Sequence, residues 1–384
     1  MKVLFVVNNF YAKGNGLSFS AQRTVKKLKE AGIEIKILSG ANPDKNGPEP
    51  EFLLKDYVVP VFDKIVKRQG YSFSAAETDI ITKAVEWADV VHIEEPFPLQ
   101  AKTCKIAEKL GKPLTGTYHL HPENLYASIK MDKSHILNDT TMWWWKNKVF
   151  NKCKIVQVPT ENAKVRLIKN KFKPELRVIS NGLILEDLAR KGDITPVKLS
   201  DAKYTVITIG RFSVEKNTKT LLNAMKYCKH AKDIQLVFAG RGPYEKPLKK
   251  HAAKLEKKGY FGYPPIFSFY PLDELQKITA GADIYIHCAF IEVEGLSCME
   301  AIQMGIVPVI AKGKYTATSQ FALSEQSVFH EKDPKDLAAK IDYWLEDDKR
   351  RKAEAEKYIE LGKKYNIDYS IKEIIKMFED AMKK

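Results

Sequence analysis

The sequence predicts an α/β protein built from two doubly wound domains. Three observations predict it. Apolar runs of strand length alternate with amphipathic helical stretches almost from end to end. The rhythm loosens once, near residues 190–203, and then restarts. The chain, at 384 residues with 44% apolar residues, exceeds what one typical core accommodates and suffices for two. Strands that alternate with helices form parallel sheets covered on both faces. Ligands of such sheets bind beyond the C-terminal strand edges, so the cleft between the two domains is the expected site.

In chain order, "KVLFVV" reads as a buried strand. "SFSAQRTVKKLKEAG" reads as a helix with Ser18 or Ser20 as cap and Gly32 as stop. The strands "IEIKILSG", "DVVHIEE" and "KPLTGTYH" follow, the last two separated by the helix "LQAKTCKIAEKLG". "KIVQVPT" and "ELRVISNG" close the first half. The second half opens with the strand "YTVITIGRF", the helix "NTKTLLNAMKYC" and the strand "IQLVFAGRG". The helix "PLDELQKITAGA" and the strand "DIYIHCAF" come next, then the helix "LSCMEAIQMG" and the strand "IVPVIA". The final stretch places Ile371, Ile374, Ile375, Phe378 and Met382 on one helical face, which must pack on something, the first domain being the expected surface.

Composition limits the partners. The net charge is +15, with 32 Lys and Arg against 22 Asp and Glu in residues 1–200. That surplus suits phosphates, nucleic acid or an acidic membrane, and equally an ordinary Lys-rich surface. Cys104, Cys153, Cys228, Cys288 and Cys298 show neither metal-ligand spacing nor a disulfide framework, which suggests a reducing cytosol. No run approaches the roughly 18 apolar residues of a membrane span, and the N-terminus carries no cleavage signal.

Four constellations fall at expected strand ends. In "IEVEGLSCMEA", Glu292 precedes a turn at Gly295 and Glu300 lies in the following helix. The amides of Leu296 and Ser297 stand at that helix start without intrahelical partners, which makes an anion site. Spacing alone leaves two readings of the acids: contacts to ligand hydroxyls, or a helix-dipole partner and a solvated side chain. In "GRFSVEK", Gly210 ends a strand and Arg211 and Lys216 follow, a pair suited to a diphosphate or to a solvated loop. Gly14 and Gly16 precede the first helix and let backbone approach a ligand. His119 and His121 follow a strand; no third metal ligand stands out, and His119 suits a polar substrate contact.

"GRFSVEK", Ser180–Gly182, "AGRGP" and above all "EVEGLSCMEAIQMGIVPVIA" resemble the family 4 glycosyltransferases, in the matching order along essentially the whole chain. The resemblance implies two Rossmann-like domains (GT-B) facing across a cleft, with the C-terminal helix crossing back. Residues 1–195, with return helix 366–384, form the acceptor-binding domain, and residues 196–365 the nucleotide-sugar-binding domain. Glu300 is expected to bind ribose hydroxyls, Arg211 and Lys216 the leaving diphosphate, and Glu292 the donor sugar. Gly210, Gly295 and the Leu296 and Ser297 amides complete the donor site. His119 matches the family's active-site histidine and Gly16 its glycine loop. The family retains anomeric configuration and generally needs no divalent metal, and no Asp-x-Asp stands at a strand end here. The expected cofactor is therefore none. Departures fall at Gly14-Asn15-Gly16, at Glu294 and after His119, on the acceptor side.

The acceptor is read from local features. Trp143, Trp144 and Trp145 adjoin a stretch, residues 146–177, with ten basic residues against two acids. Trp beside Lys favours a membrane interface, although three consecutive tryptophans on a helix cannot all face one way. Lys64, Lys67 and Arg68 in "FDKIVKRQGYSF" form a short basic amphipathic piece or an ordinary surface helix. "HPENLYASI", with His121, Glu123 and Asn124, and "TSQFALSEQSVF" look similar to bacterial glycolipid synthases of the family, which move glucose or galactose from a UDP-sugar to diacylglycerol or a related lipid. The expectation is a cytoplasmic enzyme peripheral to the inner face of the cell membrane. Rival readings are a transferase acting on a lipid-carrier-linked or soluble glycan, a non-catalytic nucleotide-sugar binder, and a nucleic-acid-binding protein. The last lacks a recognised binding motif.

Overall fold

The computed structural model describes residues 1–12, 16–58, 63, 71–127, 129–188 and 194–383. The chain divides into two compact units. One comprises Met1–Pro122, Asp132–Asn181 and Ile367–Lys384, the other Glu123–Met131 and Gly182–Asn366.

The first unit contains β1 (Lys2–Val6), α1 (Gly16–Glu30), β2 (Glu34–Gly40), β3 (Phe52–Leu54) and the short antiparallel pair β4 (Asp56–Tyr57) and β5 (Phe73–Ser74). Then come α2 (Thr78–Trp87), β6 (Val90–Ile93), α3 (Pro98–Lys109) and β7 (Leu114–Thr117). The chain passes through α4 (Pro122–Ala127), α5 (His135–Lys148), β8 (Ile155–Val158), α6 (Glu161–Lys169) and β9 (Glu175–Val178). The seven-stranded sheet runs β3-β2-β1-β6-β7-β8-β9, and all its pairings are parallel. β6, β7 and β8 are buried along their whole length, which is why they read as continuous apolar or small runs rather than as alternation. α1 begins at Gly16, ahead of both serines expected to cap it. Ser18 and Ser20 are buried inside the helix, and the Ser18 hydroxyl donates to Asn9 O at 2.5 Å, tying α1 to the loop after β1.

The second unit contains β10 (Tyr204–Ile209), α7 (Lys219–Ala224), β11 (Ile234–Ala239), α8 (Glu245–Glu256), β12 (Ile266–Ser268), α9 (Leu272–Ala280) and β13 (Ile284–His287). β14 (Ile291–Glu292), α10 (Leu296–Gln303), β15 (Val307–Lys312), β16 (Tyr315–Thr316), β17 (Val328–His330), α11 (Pro334–Leu345) and α12 (Asp348–Lys363) follow. Its parallel six-stranded sheet runs β12-β11-β10-β13-β15-β17. Counting only the strands of this sheet, this is the order 3-2-1-4-5-6 of a Rossmann sheet, with its reversal between β10 and β13. The strand interiors, including Val206, Leu236, Ile284 and Val309, pack with Leu221, Leu248, Met299 and Ile341 from the helices in one core.

The last helix, α13 (Ile367–Met382), belongs to the first unit. It buries Ile371, Ile374, Met377 and Phe378, and the Phe378 ring meets Phe5 edge-on with centroids 6.3 Å apart. Met382 falls off this face at 37% exposure, and Met377 and Ala381 take the position expected of it. The change of unit falls at Asn181/Gly182 rather than at 195/196. Leu183 is fully buried in the second core, its amide donates to Tyr365 O at 2.7 Å, and it bridges to Asn366. The centre of the expected linker, residues 189–193, lies outside the described residues. The stretch Glu123–Met131 also joins the second unit, where Ala127 packs against Phe290 and Ile291.

Candidate active site

The topological reversal of the second sheet brings two strand-end loops together. Gly210 follows β10 at φ 143°, and the loop continues through Arg211 to Lys216. The backbone is tight here: a Cβ at Gly240, after the neighbouring β11, would lie 1.9 Å from Gly210 O. From the other side, the segment after β13 delivers Glu292 in β14. The Lys216 ammonium donates to Glu292 Oε2, and His287 Nε2 lies 3.4 Å from the same oxygen. Burial pushes the Glu292 carboxyl up, but Lys216 and His287 outweigh it and hold the pKa at about 2. Burial works against the Lys216 charge as well, and Glu292 more than offsets it, so its pKa ends raised. Arg211 has no such compensation. Burial lowers its pKa against a weaker pull from Glu215, and its Nη2 is buried with no hydrogen-bond partner among the described residues. Arg211, Lys216, Gly210 and His287 line one pocket at these strand ends. An unpartnered guanidinium nitrogen beside an ammonium is a receptive site for an oxyanion.

Helix α10 opens next to Glu292. Its cap is Gly295, held at φ 94° and ψ 60° with no side-chain cap. A Cβ there would lie 2.6 Å from Thr318 Oγ1, so both the backbone angle and the space require glycine. The first amides bonded within the helix are those of Cys298 and Met299, both to Gly295 O, and the amides of Leu296 and Ser297 precede them. The Ser297 hydroxyl serves the fold: it donates to Ile209 O at 3.2 Å and lies 2.9 Å from Tyr285 OH. Glu300 lies one turn further along, half-buried.

The first unit supplies a second cluster, at the ends of β6 and β7. His119 Nε2 lies 2.5 Å from Glu94 Oε2, and His92 Nε2 lies 3.3 Å from Glu94 Oε1. Burial raises the Glu94 carboxyl, but the two imidazoles outweigh it and hold it well below the ordinary carboxylate range. Its neighbour Glu95 goes the other way. Burial pushes its pKa up in spite of hydrogen bonds from Tyr71 at 2.5 Å and from the Asn8 amide at 2.7 Å. Sequence reasoning read "HIEE" only as a strand. Its signal was two acids placed where an apolar run ends at a C-terminal sheet edge. Gly16 stands exposed at the first position of α1, and Gly14 lies outside the described residues.

The acceptor and membrane candidates separate. On α5, Trp143 is 55% exposed, Trp144 is half-buried and Trp145 is 2% exposed. Trp143 shares the unit's surface with exposed Ile136 on α5 and with exposed Val165 and Ile168 on α6. His121 and Glu123 are buried, with His121 Nδ1 2.9 Å from Tyr118 OH, while Asn124 is half-buried. Lys64, Lys67 and Arg68 lie outside the described residues. Among the described residues no helix is long and apolar enough to cross a membrane.

Comparison with known proteins accounts for nearly the whole chain. Residues 14–187 match the family model described as Glycosyltransferase Family 4, and residues 191–364 the model described as Glycosyl transferases group 1. The alpha-monoglucosyldiacylglycerol synthase of Streptococcus pneumoniae is 25% identical over 82% of this chain and 71% of its own length. The sulfoquinovosyl transferase SQD2 of Arabidopsis thaliana is 24% identical over 80% of this chain, an alignment that spans 58% of that protein, less than two thirds of its length. Among solved structures, sucrose-phosphate synthase from Thermosynechococcus elongatus aligns over 99% of this chain and 98% of its own with a TM-score of 0.76. Anabaena HepE in complex with UDP-glucose aligns over 99% and 100% with a TM-score of 0.71. Both are 14% identical to this chain, and they show the shared two-domain GT-B fold.

Proposed function

The chain belongs to glycosyltransferase family 4 and is a hexosyltransferase, and from that premise we propose that it moves glucose or galactose from a UDP-sugar to a membrane lipid such as diacylglycerol or ceramide, with retention of anomeric configuration. The observation that carries the donor side is the Lys216–Glu292 pair beside the unpartnered Arg211 nitrogen, at the reversal of the second sheet and the start of α10. In this reading Arg211, Lys216 and the Leu296 and Ser297 amides take the diphosphate. Glu300 takes the ribose hydroxyls and Glu292 faces the sugar. As the bond from the anomeric carbon to the diphosphate oxygen breaks, charge grows on the diphosphate, and fixed cations lower the barrier most at that point. The reading assigns this work to Arg211 and Lys216 and needs no divalent metal. His119, held by Glu94 at 2.5 Å, takes the role of the family's active-site histidine in this reading.

The lipid acceptor is supported by relatives named for lipid products or substrates, the S. pneumoniae diacylglycerol enzyme and a yeast phosphatidylinositol N-acetylglucosaminyltransferase subunit. A UDP donor is supported by the fold relative solved with UDP-glucose. Attachment to the inner face of the membrane is supported by exposed Trp143 and Ile136 on a helix that leads into the Lys-rich stretch 146–177. A screen of UDP-sugars with and without diacylglycerol or ceramide tests the proposal. Turnover that rises only with a lipid sustains it. Turnover that needs a soluble or carrier-linked glycan instead replaces the lipid with that acceptor.

A further inference from the structure

The surroundings of Glu292 include a titratable side chain to which the proposed chemistry gives no part. His287 ends β13 with 5% of its side chain exposed. Its Nε2 faces two oxygens, Glu292 Oε2 at 3.4 Å and Thr318 Oγ1 at 3.4 Å. The Thr318 hydroxyl donates to Glu294 O at 3.0 Å, so only its lone pairs remain for the ring. The ionised Glu292 carboxylate likewise offers only lone pairs. A nitrogen between two acceptors must carry the hydrogen. On the far side of the ring, Nδ1 lies 3.1 Å from the hydroxyl of fully buried Tyr285. That hydroxyl is 2.9 Å from Ser297 Oγ, which donates to Ile209 O. The imidazole is thereby fixed by groups on β10, β13 and α10.

We infer that His287 is a positioning residue for the transfer: its Nε2–H holds Glu292 Oε2 and leaves Oε1 for the donor sugar. The inference rests on the reading of Glu292 as the sugar-facing acid. Among the described residues, the contacts to the Glu292 carboxylate from Lys216 and from His287 both fall on Oε2. A diphosphate competes for Lys216, whereas the His287 ring, 5% exposed, lies 3.4 Å from Glu292 Oε2 and is tied on its far side to Tyr285 OH. His287 is therefore the partner that keeps Glu292 in place when the donor is bound. Thr318, pressed against the Gly295 turn, couples the same ring to the start of α10.

Histidine-selective ¹⁵N NMR on the full chain, with steady-state kinetics of His287→Leu, His287→Gln and Glu292→Gln using UDP-glucose, tests the inference. The signal that disappears in His287→Gln is expected to report a protonated Nε2 and to move in Glu292→Gln. Turnover is expected to fall about 10- to 100-fold in His287→Leu, the scale of a lost hydrogen bond to a charged group, with donor KM nearly unchanged. Gln, whose amide offers an N–H near the position of Nε2, is expected to recover most of that loss. A bare Nε2, unimpaired kcat in His287→Leu, or full turnover in Glu292→Gln overturns the inference. A wild-type chain inert toward every UDP-sugar strikes the donor assignment instead, and the ring tautomer then still decides whether His287 holds Glu292.

Discussion

Lys216 and Glu292 form an ion pair between the loop after β10 and the strand that follows β13, the two places where the second sheet reverses its order. Sequence separates them by 76 residues; topology joins them. The pair keeps a half-buried carboxylate ionised and a half-buried ammonium charged, which is the state both need to meet a nucleotide sugar. In the proposed donor site a diphosphate competes with Glu292 for this lysine.

Removing either cation tests the diphosphate assignment. Lys216→Ala and Arg211→Ala are each expected to lower kcat about 10²- to 10³-fold, the range seen when one preorganised donor to developing charge is deleted. Circular dichroism and urea unfolding should show both variants folded. Near-normal turnover in both contradicts the assignment.

Glu300 has a different expected signature. A contact to ribose hydroxyls is made in the ground state and the transition state alike, so Glu300→Ala should raise the donor KM by about tenfold or more and alter kcat much less. Initial rates over a range of UDP-sugar concentrations distinguish this from a loss confined to kcat, which contradicts ribose binding.

The depressed Glu292 pKa has a consequence for stability. A carboxyl at about 2 in the folded chain and near its ordinary value of 4.5 when unfolded stabilises the fold above pH 4.5. That contribution is lost as pH falls from 4.5 toward 2. The stability difference between wild type and Glu292→Gln should therefore be constant above about pH 5.5 and should shift against wild type on acidification. Urea midpoints measured from pH 7 to pH 2.5 check it. A difference independent of pH contradicts the ion-pair geometry.

The tryptophan run divides into a core residue and a surface residue. Trp145→Ala is expected to cost about 3–5 kcal/mol of stability, because it empties a buried site where the indole meets Phe97. Trp143→Ala should change stability by less than about 0.5 kcal/mol. Combined with Ile136→Ser, it should weaken sedimentation with anionic vesicles. Unchanged vesicle binding in that double variant removes α5 from the membrane face.

Much of this was legible in the sequence, for a physical reason. Buried parallel strands read as apolar runs, and the turn after each run marks a C-terminal sheet edge, so Arg211, Lys216, Glu292 and the start of α10 could be placed from pattern and resemblance. The pairing of Lys216 with Glu292 was not legible, because strand order is not written in the local pattern. Glu94 and His287 were missed for a related reason. Each lies in or just beyond a strand whose apolar neighbours dominate the reading, and each gains meaning only from a partner on another strand or loop. The joining of Glu123–Met131 to the second unit was hidden as well, since it depends on Ala127 meeting Phe290 and Ile291. The cap of α1 was misplaced because Ser18, a good capping residue, spends its hydroxyl on Asn9 O instead.

The measurement that tests the account most directly is transfer of labelled hexose from a UDP-sugar into the lipid extract of vesicles containing diacylglycerol or ceramide, in the presence of EDTA, with the product's anomeric configuration read by NMR. The account predicts a labelled α-glycolipid from an α-linked donor. Hydrolysis without transfer, a β-linked product, or complete loss in EDTA restored by Mn²⁺ or Mg²⁺ would contradict it.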